Sequence, residues 1–398
     1  MTNTKWTKKL LVIALLLALS TCVMFVACEK QQEPTATEGL NYILSEDKSS
    51  YCVNGIGTAT ETDIVIPATY NNKPVTEISP SAFYSCDNLT SVVVQKGVKT
   101  IGQRAFAQCG NLKSIVIPSS VEEIGDAVFS GCKNVESIVV NKANSAYKSI
   151  DNCLIETASK KLILVCNNSV MPKDGSFNSV AYRLFTNCDK LNYTEYTNAL
   201  YWGTKDNPYL VLVTGSDINI TSCTINENTK IIAGGAFDTG TLGKFRSLTS
   251  ITIPDSVLTI GDSAFSNSGL TTVTFGKNLL EIGTHAFAMC GITNVTLPNS
   301  LTEIGDEAFY GCSLTTVTFG SNVKTIGDRA FASCLLTSIK IPAGVTTIGV
   351  AAFANCQSLT EITFDGTVAQ WNAINKGADW NSNAPATKVI CTDGEVTL

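Results

Sequence analysis

A phrase close to L-x-x-I-x-I-P-x-x-V-x-x-I-G-D-x-A-F-x-x-C recurs along this chain every 22 or 23 residues. Its Phe falls at Phe83, Phe106 and Phe129, and again at Phe265, Phe287, Phe309, Phe331 and Phe353. A fixed period in this range means stacked coils, each a strand followed by a turn or short helix. One such coil cannot bury its apolar positions alone, so neighbours must stack until the apolar columns merge. This overrides the two or three globular domains that 398 residues would otherwise suggest. Hydrophobic residues at 44% are enough for a continuous core, and charged residues at 16% leave little room for long disordered charged tracts.

Within one coil, Leu270, Val273 and Phe275 follow the spacing of a strand with one buried face. Pro118, Pro254, Pro298 and Pro342 end that strand where no ladder donor is needed. A second short extended piece runs into Ile-Gly, with Gly261, Gly283, Gly305 and Gly327 expected to make a turn. Asp262, Asp306 and Asp328 are then placed to cap a short helical turn that holds Ala-Phe inside. The pattern predicts a repeat solenoid: a right-handed coil with a parallel β-sheet, short second strands and short helical turns. About twelve coils at ~4.8 Å per step would make a rod of roughly 55–60 Å.

The period divides the chain. Residues 40–78 read as an N-terminal cap plus first coil, and 79–140 as regular repeats. Residues 141–230 break the period while keeping one anchor at Phe185 and Cys188. Two hairpin inserts, Tyr147 to Cys166 and Ala199 to Val213, show short apolar runs bounded by turn residues. Regular repeats resume over 231–364, and 365–398, with Trp371 and Trp380, reads as a C-terminal cap.

The first 27 residues have the build of an export signal: Lys5, Lys8 and Lys9, then an apolar run from Leu10 to about Ala27. Phe25-Val26-Ala27-Cys28 resembles a bacterial lipobox, which makes Cys28 the expected lipidation site, with Cys22 as the rival. Residues 28–39 then read as a flexible tether. Three lysines and no acid leave with the signal, taking the formal charge from −6 to −9. An acidic chain does not attract phosphate backbones, so nucleic acid is not an expected partner.

Fifteen cysteines in an exported chain invite a disulfide reading. The repeat argues for buried thiols instead. Cys86, Cys109, Cys132, Cys188, Cys290, Cys312, Cys334 and Cys356 each follow the repeat Phe by three residues. Side chains one coil apart point the same way, which suits a disulfide poorly, whereas an unbridged Cys packs as a small hydrophobe. No C-x-x-C pair is present, so zinc has no support.

Catalysis finds no constellation. His285 is the only histidine, so no Ser-His-Asp or Cys-His arrangement can be built, and no H-E-x-x-H, G-x-S-x-G or phosphate-binding loop occurs. No cofactor is expected. The informative positions are those flanking each buried Ile or Val of the strand. In the first block they are Ser91/Val93, Ser114/Val116 and Ser137/Val139; in the second they include Thr272/Thr274 and Thr316/Thr318. Val and Thr suit a pleated surface for their own sake. A Val stripe open to solvent would mean contact with a partner, unless the Tyr147–Cys166 insert roofs it. The Thr stripe could offer regularly spaced hydroxyls to a protein or glycan.

The Ile-Gly-Asp-x-Ala-Phe-x-x-Cys phrase, over about residues 40–398, resembles the BspA-like leucine-rich repeat family of bacterial cell-surface proteins and lipoproteins. The resemblance implies a non-catalytic scaffold exposed at the cell surface and a role in attachment to host matrix proteins, cells or glycans, with the lipid at Cys28 expected to hold it to the membrane. A glycan-capture lipoprotein serving nutrient uptake is the alternative. The family is defined by its scaffold, so the partner does not transfer with the fold.

Overall fold

The computed structural model describes residues 34–398 apart from 174–175, 183, 186–187, 189 and 239–244. The export segment, Cys22 and Cys28 lie outside the described residues. The chain forms a β-solenoid of about 14 turns. The inserts and both ends also contribute strands to the stack, which is why the turns outnumber the repeat phrase.

Each regular coil supplies two strands to two different sheets. The longer strand carries the L-x-x-I-x-I segment, as in Thr272–Thr274 and Thr316–Thr318. The shorter carries the Ile before Gly, as in Glu281–Ile282 and Glu303–Ile304. Short strands pair parallel and in register, Ile260 with Ile282, Ile282 with Ile304 and Ile304 with Ile326, inside a ten-stranded sheet. Long strands do the same, Ser250 against Thr272 and Asn294 against Thr316. Because the period is constant, every residue meets its equivalent one coil away, and the apolar residues become columns.

The Phe column is the clearest. Phe237, Phe265, Phe287, Phe309, Phe331 and Phe353 stack nearly parallel with centroids 5.1–5.5 Å apart, and Trp380 closes the column edge-on at 6.2 Å. Phe83, Phe106 and Phe129 form a second, shorter stack.

The segment around each Phe is not a helical turn. The only described α-helix is Val368–Ala373, near the C-terminus. In the coils, two left-handed residues four apart flank Ala-Phe, such as Ser263 (φ 54°) and Asn267 (φ 58°), or Arg329 (φ 51°) and Ser333 (φ 59°). These kinks leave every second amide of the segment pointing along the stack. Ser263, Phe265 and Asn267 accordingly donate to the carbonyls of Thr284, Ala286 and Ala288 in the next coil at 2.7–2.8 Å. The turn face is thus a third hydrogen-bonded stack. With no helix to cap, the Asp column has another use. Asp262 Oδ1 accepts the Thr284 amide at 3.0 Å, Asp306 Oδ1 that of Asp328 at 2.7 Å, and Asp328 Oδ1 that of Val350 at 2.6 Å. Each carboxylate ties its coil to the next.

The repeat glycines act through close approach. Gly327 does not lie in the left-handed region; a Cβ there would stand 2.6 Å from Asp306 N and Gly305 C of the preceding coil.

The inserts are hairpins that hand the stack onward. Cys153–Glu156 pairs antiparallel with Tyr147–Ile150 and Lys161–Leu164. Ala199–Trp202 pairs antiparallel with Thr194–Tyr196 and Val211–Gly215, and the last of these runs parallel to Ile231–Ile232, where regular coils resume. Residues 34–37, expected as tether, lie against the first coil. Thr37 Oγ1 accepts the Val65 amide at 2.8 Å, and Gln95 Nε2 donates to the Pro34 carbonyl at 2.7 Å. This covers an otherwise unpaired sheet edge.

Candidate binding face

Alternation along the long strand places one residue in the core and its neighbours outside. In the second block this yields an open polar face. Thr272, Thr274, Thr316 and Thr318 are all exposed, flanking buried Val273 and Val317. Ser250, Thr252, Asn294 and Thr296 continue the two columns.

Two parts of this face are not evident from the repeat phrase. The first is a third column just before the strand: Thr249, Thr271, Thr293, Thr315, Thr337 and Thr360, every one exposed. Its hydroxyls reach the preceding coil, Thr271 to the Thr249 carbonyl and Thr315 to the Thr293 carbonyl, both at 3.2 Å. The constant Thr after the buried Leu or Ile was the available signal. The second is an added coil, Ser222–Thr224, which pairs in register with Ser250–Thr252 and brings Thr221, Ser222 and Thr224 onto the face. It lies within the irregular stretch, so periodicity could not assign it. Across these columns the charged positions are Lys340 and Glu361, and Lys340 is paired with Asp365 at 2.9 Å. At the rim, Asp255 pairs with Lys277 at 2.7 Å, and hydrogen bonding from Lys277 holds the Asp255 carboxyl below its ordinary range.

The first block differs from expectation. Ser91 and Ser114 are buried, while Ser137, Val93, Val116 and Val139 are half-buried. Ser91 Oγ donates to Asp63 Oδ1 at 2.7 Å, and Thr90 Oγ1 donates to the same oxygen at 2.6 Å, so the head of this column is satisfied internally. The Tyr147–Cys166 insert meets this sheet beside its last strand, where Val140 N–H donates to Ser149 Oγ at 3.1 Å.

The thiol column is structural. Cys109, Cys132, Cys290, Cys312, Cys334 and Cys356 are buried and unbridged. Each Sγ donates to the Phe carbonyl of the preceding coil at 3.0–3.2 Å, for example Cys312 to Phe287 and Cys356 to Phe331. Cys188 is buried in the irregular region, with Sγ 3.7 Å from the Val165 carbonyl. Cys86 heads the column with no preceding Phe, and is half-buried. Burial pushes the Cys290 and Cys356 thiols up to about 11.

His285, in the turn column, sits with Nε2 2.9 Å from Glu307 Oε2, and Arg329 Nη1 lies 3.3 Å from Glu307 Oε1. Among the described residues, no group of three or more His, Cys, Asp or Glu side chains is placed to hold a metal ion, and no helix is long and apolar enough to cross a membrane.

Among solved structures, the chain is similar to a leucine-rich cell surface protein from Faecalibacterium prausnitzii A2-165, at 22% identity over 86% of this chain and 98% of that one (TM-score 0.38). It is similar to a leucine-rich repeat protein from Bacteroides ovatus ATCC 8483, at 22% identity over 90% and 94% (TM-score 0.30). It also resembles the pneumococcal vaccine antigen PcpA, at 14% identity over 90% and 98% (TM-score 0.36). No curated protein matches the chain. The BspA-type leucine-rich repeat region matches in six copies, over residues 62–192, 215–290 and 280–378. With more than half its length so matched, and with the repeat forming a stacked solenoid, the chain belongs to the BspA-type leucine-rich repeat family.

Proposed function

We propose that this chain is a non-catalytic binding protein displayed at the cell surface, anchored through acylated Cys28, and that it engages an extracellular protein or glycan through the Thr-lined strand face. The observation that carries this reading is the face itself: three exposed polar columns, in register over successive coils and nearly free of charge. A solenoid offers such a face to an extended partner, with many weak contacts summed along the rod. The half-buried Val stripe and internally bonded Ser91 make the first block the lesser surface. The near absence of charge also fits a neutral glycan, which keeps the capture of sugars for uptake as the second reading.

The test is binding of the chain without its first 28 residues to matrix proteins and a glycan array. It is run beside Thr274→Lys/Thr318→Lys and Val93→Ser/Val116→Ser/Val139→Ser variants. The column already carries Lys340, so the lysines suit the fold. We expect saturable binding that weakens at least about tenfold in the Thr variant, the loss expected when interface anchors are removed. Loss confined to the Val variant would move the site to the first block. An absence of binding across the panel would overturn the proposal. Discrete glycan hits without protein binding would favour sugar capture over adhesion.

A further inference from the structure

The turn face, remote in sequence position within the coil from the Thr columns, carries a separate cleft of about 420 Å³ near the C-terminal end of the regular coils. Its origin is a change of side-chain size along the columns. The residue after the repeat Phe is Tyr310 in one coil and alanine in the next two, Ala332 and Ala354. The column two before Phe runs Glu307, Arg329 and then Ala351. Large side chains therefore give way to methyl groups over two coils, and the surface steps down beside a tyrosine ring. All of these residues line the cleft, with Asn355.

We propose that this cleft is a sugar-binding subsite, taking one uncharged hexopyranose ring. Tyr310 supplies an aromatic surface for the apolar face of the ring, and the alanines a floor without bulk. This volume lies within the range of small-ligand sites, and the lining sets three alanines beside Tyr310, Glu307, Arg329 and Asn355, a mixed surface of the kind a sugar ring needs. Glu307 and Arg329 offer an acceptor and donors for ring hydroxyls. They are 3.3 Å apart, and His285 Nε2 lies 2.9 Å from the other Glu307 oxygen, so the acid is held in place before any ligand arrives. Its pairing with Arg329 also leaves no uncompensated guanidinium, which favours a neutral ring over an anionic one. Asn355, also in the lining, is held by Asn383, whose Nδ2 donates to Asn355 Oδ1 at 2.8 Å, and its own amide nitrogen is a further donor. The site is independent of the strand-face reading and could serve a glycan bound there or a different one.

The experiment is saturation-transfer NMR of the folded chain with methyl glucoside, methyl galactoside, methyl mannoside and methyl N-acetylglucosaminide, each at millimolar concentration. Two variants disable the cleft in different ways. Tyr310→Ala removes the aromatic surface. Ala351→Arg fills the space with a residue that the same column already accommodates at Arg329, at nearly the same backbone angle (φ 55° against 51°). We expect transfer to at least one glycoside, weakened about tenfold or more in both variants and retained in Thr274→Lys/Thr318→Lys, a difference of one decade in Kd. No transfer to any glycoside would overturn the assignment, as would transfer unaffected by both cleft variants. Transfer lost only in the Thr variant would place sugar on the strand face, overturning the cleft while upholding the earlier proposal.

Discussion

At the scale of single residues, the solenoid is most exacting where one coil touches the next. Gly327 is one such tight point, with the backbone of the preceding coil 2.6 Å from where a Cβ would sit. Backbone cannot move aside as a flexible side chain can, so Gly327→Ala should lower stability by about 1–3 kcal/mol, the range for overpacking, read as a fall in the chemical denaturation midpoint. Thr229 presents the opposite case. It occupies the buried column held elsewhere by Val257, Leu279 and Val323, is 0% exposed, and its hydroxyl has no partner among the described residues. Thr229→Val keeps the shape and removes an unsatisfied hydroxyl. We expect a gain of about 1 kcal/mol by the same measurement.

At the scale of the repeated element, the thiol column makes a prediction about pH. An unfolded Cys ionises near pH 8.5. In the folded chain, burial holds Cys290 and Cys356 at about 11 and raises Cys312 and Cys334 as well. Above about pH 8.5 the unfolded chain releases protons that the folded chain keeps, so unfolding is favoured as pH rises. The contribution is full below that pH and drains as pH climbs through 11. Denaturation midpoints should therefore fall steeply between pH 9 and 11, beyond what a variant with serine at Cys290 and Cys356 shows. Because alkylation needs access to the sulfur, treatment of the native protein at pH 8 should label the half-buried Cys52 and Cys86 well ahead of the buried column, as mass mapping of the adducts would report.

At the scale of the whole molecule, the ends and the middle decide behaviour. A stack exposes its core wherever it stops. At the C-terminus Trp380 lies edge-on to Phe353, Trp371 packs against Trp380 and Phe364, and the hairpin of Lys388–Cys391 with Gly394–Thr397 closes the sheet. Removing residues 365–398 would bare Phe353 and the edge of Glu361–Phe364. We expect that truncated chain to form soluble oligomers or aggregates by light scattering at concentrations where the full chain is monodisperse. In the middle, the core passes from the first to the second regular block through a separate cluster around Leu162, Phe185, Trp202 and Val211. A Lys161–Asp262 pair at 3.5 Å links the first insert to the second block.

The sequence by itself determined the coil. A constant period forces equivalents into register, so the apolar columns, the inward cysteines and the outward Thr pairs follow from spacing alone. The solenoid class and the exposed state of Thr272, Thr274, Thr316 and Thr318 were legible for that reason. Contacts along the axis were not, because they join residues 22 or more apart whose meeting depends on how closely coils pack. Only the tertiary structure decided that Asp262, Asp306 and Asp328 bond the next coil rather than cap a helix, and that the glycines serve close approach. The same packing buried Ser91 and Ser114, added Ser222–Thr224 to the Thr face, and gathered Glu307, Tyr310 and Asn355 around one cleft. Periodicity fixes which side of a coil a residue occupies; what covers that side is set by neighbouring coils and inserts, and no local pattern records it.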